Sequence, residues 1–412
     1  MERTIVGIDV GTTKVCTLVG EAVDNELKIV GVGVAPSRGI KKGVVVNVVE
    51  AASAIKASIE KAERSSGYEI ARAFVSVTGG HVSAINSRGV VGVNRGDKGI
   101  TSDDVGRALD AARAIAIPQD REVLHVIPRG YSVDGQDGVK EPVGMIGFRL
   151  EVEAHIVTGQ ASSIHNLMKC VESCNVGVDG LVLDPIASGE AVLTNTEKEM
   201  GVVLADIGGG TTDIAIFIEG SVWHTTVLPV GGNHLTNDVA VGMRVPFEAA
   251  EQLKVEHGHA RHEMIDPTEV VQVKAFGDGG VTRVQRRDLA EIIEARTEEI
   301  YQLIMQEIKR SGYDGLLPAG VVLAGGTSQL RGLRELGRQV LSLPVRIGTP
   351  QNLLGLTDAI DSPAYATSVG LLLWGRDQAG AQPLPTRKDK KGGDWGDRFG
   401  GFIKTLLPDR NS

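Results

Sequence analysis

Aromatic side chains are scarce in this chain, at 4% of 412 residues, whereas glycine occurs 53 times. That balance suits an α/β protein with many tight turns. Cysteine is nearly absent: Cys16, Cys170 and Cys174 form an odd set with no framework spacing. A disulfide-stapled scaffold is thereby excluded and a reducing compartment expected. Cys170 and Cys174 lie one helical turn apart, but no histidine or cysteine stands at a spacing that completes a metal site. They read as small buried side chains. Positive charge is in deficit, with a net charge of −9, which sets aside general binding to nucleic acid. No apolar run is long enough to span a bilayer. The N-terminus enters a strand containing Asp9 directly, unlike a signal peptide. Hydrophobic content of 42% and charged content of 23% are ordinary for a soluble globular protein. This length predicts two or more domains.

What the chain has instead is a repeated glycine loop, each copy opened by an aspartate at the end of an apolar strand. The first runs Ile5-Val6-Gly7-Ile8-Asp9-Val10-Gly11-Thr12-Thr13-Lys14. The second runs Val202-Val203-Leu204-Ala205-Asp206-Ile207-Gly208-Gly209-Gly210-Thr211-Thr212-Asp213. Glycines let backbone N–H groups approach an anion closely. Threonine hydroxyls add donors, and aspartates suit a hydrated cation that screens phosphates. The first loop alone fits a plain hairpin as well as a phosphate loop. The second, with three glycines between acid and hydroxyl groups, is more specific. Two copies in two halves suggest two lobes closing on one nucleotide.

Between them the pattern changes. Residues 1–81 read as a strand meander, a helix over about Glu50–Ser66 and the strand Ala73–Val77. Residues 82–160 read as a small inserted α+β module. It has a strand over Val82–Val93 and a helix capped by Thr101-Ser102-Asp103-Asp104. Two strands, Val123–Pro128 and Tyr131–Val133, and the half-exposed strand Leu150–Val157 complete it. Residues 161–375 are expected to form the second lobe, with about 235–310 as a subdomain. Residues 376–394, rich in proline, glycine and charge, predict a disordered linker.

Residues 395–412 carry a second signal. Trp395, Phe399, Phe402, Ile403, Leu406 and Leu407 fall on one helical stripe, with Lys388, Lys390 and Lys391 upstream. A tethered amphipathic helix of this kind suits an anionic membrane surface. Docking of that helix on its own globular body is the alternative.

Together these motifs resemble the superfamily of actin, sugar kinases and heat-shock chaperones, an α/β, ribonuclease-H-like, two-lobed ATPase fold. The resemblance implies that Asp9 and Asp206 face Mg2+. It also implies that Gly11, Thr12, Thr13 and Lys14 hold one side of ATP, with Gly208, Gly209, Gly210, Thr211 and Thr212 on the other. Val321-Val322-Leu323-Ala324-Gly325-Gly326-Thr327-Ser328 resembles the adenosine motif, implying contacts from Gly325, Gly326 and Ser328. Thr327 stands where the family often has a third glycine. Glu251 matches the ribose-binding glutamate and Lys254 falls near the base, though both also suit a solvated helix face. Leu183-Asp184-Pro185-Ile186-Ala187-Ser188-Gly189-Glu190 resembles the first segment connecting the lobes. It makes Asp184, then Glu190, the candidates for orienting the attacking water, while an N-cap role suits Asp184 too.

The order of parts, and the inserted module above all, resembles the FtsA family of bacterial actin-like division proteins. Arg121–Pro128, Val133-Asp134-Gly135 and Arg149–Gly159 carry that likeness. It implies an ATP-binding filament on the cytoplasmic face of the membrane with at most slow ATPase activity. The implied partners are further copies of itself, the C-terminal peptide of FtsZ, other division proteins through the module, and anionic lipid. A PilM-like pilus-assembly protein and a small-molecule kinase of the same superfamily are the alternatives.

Overall fold

The structure is a computed structural model that describes residues 3–380, apart from 24–25, 95–97, 115–116, 277–279 and 352. The first lobe begins with β1 (Arg3–Val10), β2 (Lys14–Val23) and β3 (Glu26–Pro36), followed by a short β4 (Ile40–Lys41), β5 (Val44–Val45) ladder. Helix α1 (Val48–Ser66) starts where the Asn47 side chain accepts from the amides of Val49 and Glu50. It stops at Gly67, which adopts a left-handed conformation. Strand β6 (Arg72–Val77) then pairs parallel with β1.

The inserted module follows: β7 (Ser83–Gly92), α2 (Ser102–Arg113), β8 (Arg121–Val133), β9 (Gln136–Val139) and β10 (Arg149–Gln160). Its antiparallel sheet has the order β7-β10-β8-β9, and α2 packs on it around Val105, Ala108, Leu109 and Ala112. Thr101 and Asp104 form a reciprocal capping box at the start of α2. The two strands expected over 123–133 are one strand, interrupted where the register with β10 slips beside Arg129. On the polar side of β10 Glu153 is exposed, whereas Glu151 and His155 are buried. Glu151 lies between Arg88 and Arg149, and His155 bonds Asn86 at 2.7 Å.

The chain continues through α3 (Ala161–Glu172), β11 (Gly177–Leu183), α4 (Asp184–Val192), α5 (Asn195–Met200), β12 (Val202–Ile207), β13 (Thr212–Ile218) and β14 (Ser221–Leu228). Next come α6 (Gly232–Met243), α7 (Phe247–His257), β15 (Val270–Lys274), β16 (Val281–Gln285), α8 (Arg286–Ser311) and β17 (Val321–Ala324). The described chain closes with α9 (Leu333–Leu341), β18 (Val345–Ile347), β19 (Leu353–Gly355) and α10 (Ala366–Gly380).

Two sheets share one topology. The first has the order β11-β6-β1-β2-β3-β19 and the second β14-β13-β12-β17-β18. In each, an antiparallel three-strand meander is extended by parallel strands from later in the chain. The expected boundary at residue 161 is therefore corrected. Strand β11 completes the first sheet, β19 pairs with β3, and α10 packs against Ile5, so these late segments belong to the first lobe. Periodicity reveals a strand, but not which remote sheet accepts it. The expected linker also begins too early, because α10 continues helical to Gly380. The rest of that linker and the six apolar tail residues lie outside the described residues.

Helices α4 and α10 cross between the two sheets within one continuous core that includes Ile186, Ala187, Val369, Leu371 and Leu372. At the crossing Gly370 lies flat on the Ala187 carbonyl, where any Cβ would overlap the oxygen. Gly106, by contrast, sits inside α2 with open space around it. Gly370→Ala is expected to destabilise the protein by about 1–3 kcal/mol through overpacking. Gly106→Ala should stabilise it by up to about 1 kcal/mol. Urea unfolding of both variants checks this, and a Gly370→Ala midpoint equal to wild type contradicts the crossing geometry.

Candidate functional site

The two glycine loops are built alike. In the first, the Gly11 amide donates to the Lys14 carbonyl at 3.1 Å, and in the second Gly208 donates to Thr211 at 2.9 Å. The hairpin registers place Asp9 across from Cys16 and Asp206 across from Asp213. The loops then meet. A Cβ on Gly209 would come within 2.5 Å of Thr13 Cγ2, and one on Gly210 within 2.6 Å of Thr12 Oγ1. Glycine is required there because the opposite loop occupies the space. Among the described residues, the amides of Thr12, Thr13, Gly209 and Gly210 have no hydrogen-bond acceptor. Free N–H groups on two glycine loops in contact are the kind of groups that anion-binding concavities use.

Below the loops, hydroxyls from the crossing helices and from the end of β6 hold the aspartates. Asp9 accepts from Ser368 at 2.7 Å and from Ser76 at 3.4 Å. Asp206 accepts from Ser188 and from Thr367, the latter at 3.1 Å. Consecutive residues of α10 thus serve one aspartate from each lobe. Asp213 accepts from Thr78, again across the lobes. Asp184 Oδ1 is buried without a partner.

The resulting cleft measures about 520 Å³ and is lined by Asp9, Asp184, Asp206 and Asp213 together with Lys14 and Lys254. Burial pushes Asp206 up to about 6, with Asp9 adding repulsion, and Asp213 up to about 7, with Asp206 and Asp9 adding repulsion. Burial also raises Asp9. Asp184 is raised well above the usual carboxylate value by burial and then by Asp213, Asp9 and Asp206. Burial lowers Lys14, opposed by Asp9. Its ammonium donates to the Ala364 carbonyl at 2.5 Å and lies 3.4 Å from the Tyr365 ring centroid. Too little positive charge faces these acids for all of them to ionise. A hard cation fits oxygen donors of this kind. Among the described residues no three acidic, histidine or cysteine side chains form a cage by themselves. A cation here would need ligand oxygens and water alongside one or two carboxylates, which is how Mg2+ is usually held.

The far end of the cleft is made by α6, α7 and the turn after β17. Glu251 accepts from Thr236 and from Lys254 Nζ, the latter at 2.7 Å, and Lys254 also reaches the Gly232 carbonyl at 3.3 Å. Thr327, where a glycine was expected, donates to Gly208 O at 3.0 Å and so ties this turn to the second loop. Gly325 and Gly326 line the cleft.

Three expected site residues are elsewhere. Glu190 pairs with Lys198 at 2.7 Å, outside the cleft. It lies six residues after Asp184, a rotation of about 240° on a helix. Thr212 is fully buried and donates to Val230 O at 2.9 Å, because strand alternation turns it away while Thr211 and Asp213 face the cleft. Ser328 is likewise buried, closing its own turn on Gly325 O at 2.7 Å. Sequence reasoning gave no role to Ser76, Thr78, Ser188, Asp213, Thr367 or Ser368. Asp213 alone carried a signal, as the hairpin partner of Asp206.

A family model described as cell division protein FtsA matches residues 203–370, and one described as SHS2 domain inserted in FTSA matches residues 79–158. Cell division protein FtsA of Pseudomonas aeruginosa is 45% identical over 374 residues, covering 90% of this chain and 89% of that protein. The Neisseria meningitidis protein of the same name is 39% identical, covering 95% of each. That of Escherichia coli K12 is 36% identical, covering 98% of each. Among solved structures, a PilM-PilN type IV pilus biogenesis complex aligns with a TM-score of 0.66 at 16% identity, covering 90% of this chain and 98% of that one. MreB5 of Spiroplasma citri bound to ADP aligns with a TM-score of 0.56 at 13% identity, covering 91% and 96%. The fold is the actin-like ATPase fold.

The folded values of Asp206 and Asp213 lie above the ordinary 3.8. The stability they contribute is complete below that value and is lost as pH rises through about 6 and about 7. Asp213→Asn is therefore expected to flatten the fall in melting temperature between about pH 4 and about pH 7 by several degrees. Thermal unfolding in metal-free buffer checks this, and parallel pH profiles for variant and wild type contradict it.

Proposed function

The chain belongs to the FtsA family of bacterial cell division proteins, and from that premise we propose that it is an ATP-binding scaffold at the cytoplasmic membrane. The single observation that carries the nucleotide reading is the contact between Gly209-Gly210 and Thr12-Thr13 above buried carboxylates. Free amides suit phosphate oxygens, and a cation with the nucleotide supplies the positive charge the acids lack. In this reading Gly11–Lys14 and Gly208–Thr211 hold the phosphates, Asp9 and Asp206 face Mg2+, and Glu251, Lys254, Gly325 and Gly326 hold the nucleoside. Asp184 is the water-orienting group: it lines the cleft and its buried Oδ1 is unpartnered. Nucleotide stabilises the closed lobe arrangement, which is the form that polymerises.

The membrane contact is assigned to Trp395, Phe399, Phe402, Ile403, Leu406 and Leu407, and assembly into filaments multiplies their individually modest affinity. The C-terminal peptide of FtsZ docks on residues of about 235–310, and other division proteins dock on the inserted module. The likeness to the pilus complex is one of fold at 16% identity. A small-molecule kinase needs an acceptor pocket with its own catalytic aspartate, and it has no use for an amphipathic tail.

Electron microscopy on lipid monolayers with ATP and Mg2+ tests the whole reading. Filaments and membrane recruitment are expected, and absence of both contradicts it. Asp206→Ala is expected to abolish ATP binding in calorimetry. Phe402→Glu should weaken liposome binding roughly thirtyfold or more while nucleotide affinity stays at the wild-type value. Undiminished lipid binding by Phe402→Glu removes the tether.

A further inference from the structure

Two β-bulges lie face to face where the inserted module meets the second lobe. On β8 the register with β10 slips between the pairs Glu153–Gly130 and Ala154–Pro128, which leaves Arg129 as the extra residue. On β14 the register with β13 slips between Ile216–His224 and Phe217–Val222, which leaves Trp223 as the extra residue. A bulged residue has no ladder partner, and its side chain is re-aimed out of the regular alternation. Here the Arg129 guanidinium lies 4.2 Å from the centroid of the Trp223 ring and 5.6 Å from that of Tyr313. Tyr313 meets Trp223 edge-on, with centroids 5.4 Å apart at 80°. Arg129 Nε is buried without a hydrogen-bond partner, so the aromatic faces hold this guanidinium. Three hydrogen bonds flank the stack. Ser221 Oγ donates to Pro128 O at 2.6 Å, His155 Nε2 lies 2.9 Å from Thr225 Oγ1, and Asn86 Nδ2 donates to the Tyr313 hydroxyl at 3.4 Å.

The same module is anchored on the first lobe. It is continuous with β6 at one end and α3 at the other. His125 on β8 accepts from the Leu183 amide at 3.0 Å, one residue before Asp184. On the other side, β14 is the neighbour of β13, which carries Asp213. The module therefore bridges both lobes, remote from the nucleotide loops in sequence but one strand away from their supports. Any rotation that parts the lobes has to break the bulge contacts or the first-lobe anchors. A tie of this kind biases the lobe equilibrium toward the arrangement in which the two loops touch.

We infer that Arg129 is a positioning residue for the nucleotide cleft: stacked on Trp223 and Tyr313, it fastens the inserted module across to the second lobe and holds the two phosphate loops together. Linkage makes the effect reciprocal, so nucleotide in the cleft tightens the junction. A partner that pulls β8 away from β14 lowers nucleotide affinity, and one that presses them together raises it.

This inference rests on the ATP-binding reading, and the experiment separates the two. The full-length protein is titrated with ATP and Mg2+ by calorimetry, as wild type, Arg129→Ala, Arg129→Lys and Lys140→Ala. Losing a half-buried cation–π stack corresponds to roughly a fivefold to tenfold weaker Kd for Arg129→Ala. Arg129→Lys keeps the charge but not the planar stack and should fall between. Lys140 pairs with Glu199 across the same junction, with both side chains more than half exposed. Lys140→Ala should stay within about twofold of wild type. Hydrogen exchange on the wild type gives a readout that survives misfolding of any variant. ATP is expected to slow exchange in 126–133 and 221–228. Wild type that binds no ATP overturns the nucleotide reading and this inference with it. Wild type that binds while Arg129→Ala keeps the same Kd, or that shows no ATP-dependent protection at the junction, overturns this inference alone.

Discussion

The close crossing of α4 and α10 is the constraint on which the site depends. Each helix packs on one sheet and reaches the other through the contact of Gly370 with the Ala187 carbonyl. One residue beyond Ala187 is Ser188, and two and three residues before Gly370 are Ser368 and Thr367. Those hydroxyls hold Asp9 and Asp206. A bulkier residue at the crossing would move the hydroxyls and the two lobes together. Packing and polar positioning are thus the same event here, since interiors of this density have no slack to absorb an added atom.

The crossing also concentrates negative charge. Four aspartates line one cleft at a depth where burial opposes ionisation. Hydroxyl donors relieve Asp9, Asp206 and Asp213, but Asp184 keeps an oxygen without a partner. Unpaired buried charge is costly, so such a site is strongly biased toward binding a cation and an anion together. The polar groups recover their lost hydration only when the lobes surround a ligand.

Several elements were readable from local pattern. The capped start of α2, the glycine loops and the continuously apolar β12 each depend on neighbours within a few residues. The departures are equally physical. Glu190 sits on the expected helix but on its wrong side, and Thr212 sits in the expected loop but on the wrong face of its strand. Both errors come from assigning a motif as a block, when helix and strand periods send alternate members of the block to different environments. Strand β8 read as two because a bulge at Arg129 interrupts its alternation, and bulges leave no reliable mark in a single sequence.

Chain order and residue type alone determined the two phosphate-type loops, the inserted module and the family likeness, because turn chemistry, capping and apolar spacing are local properties. Only the tertiary structure decided which lobe receives β11, β19 and α10, and which hydroxyls meet which aspartates. It alone placed Arg129 opposite Trp223. Strand partnership, the desolvation of a carboxylate and the meeting of two bulges are set by segments far apart in sequence. No short window of residues contains the groups that set them.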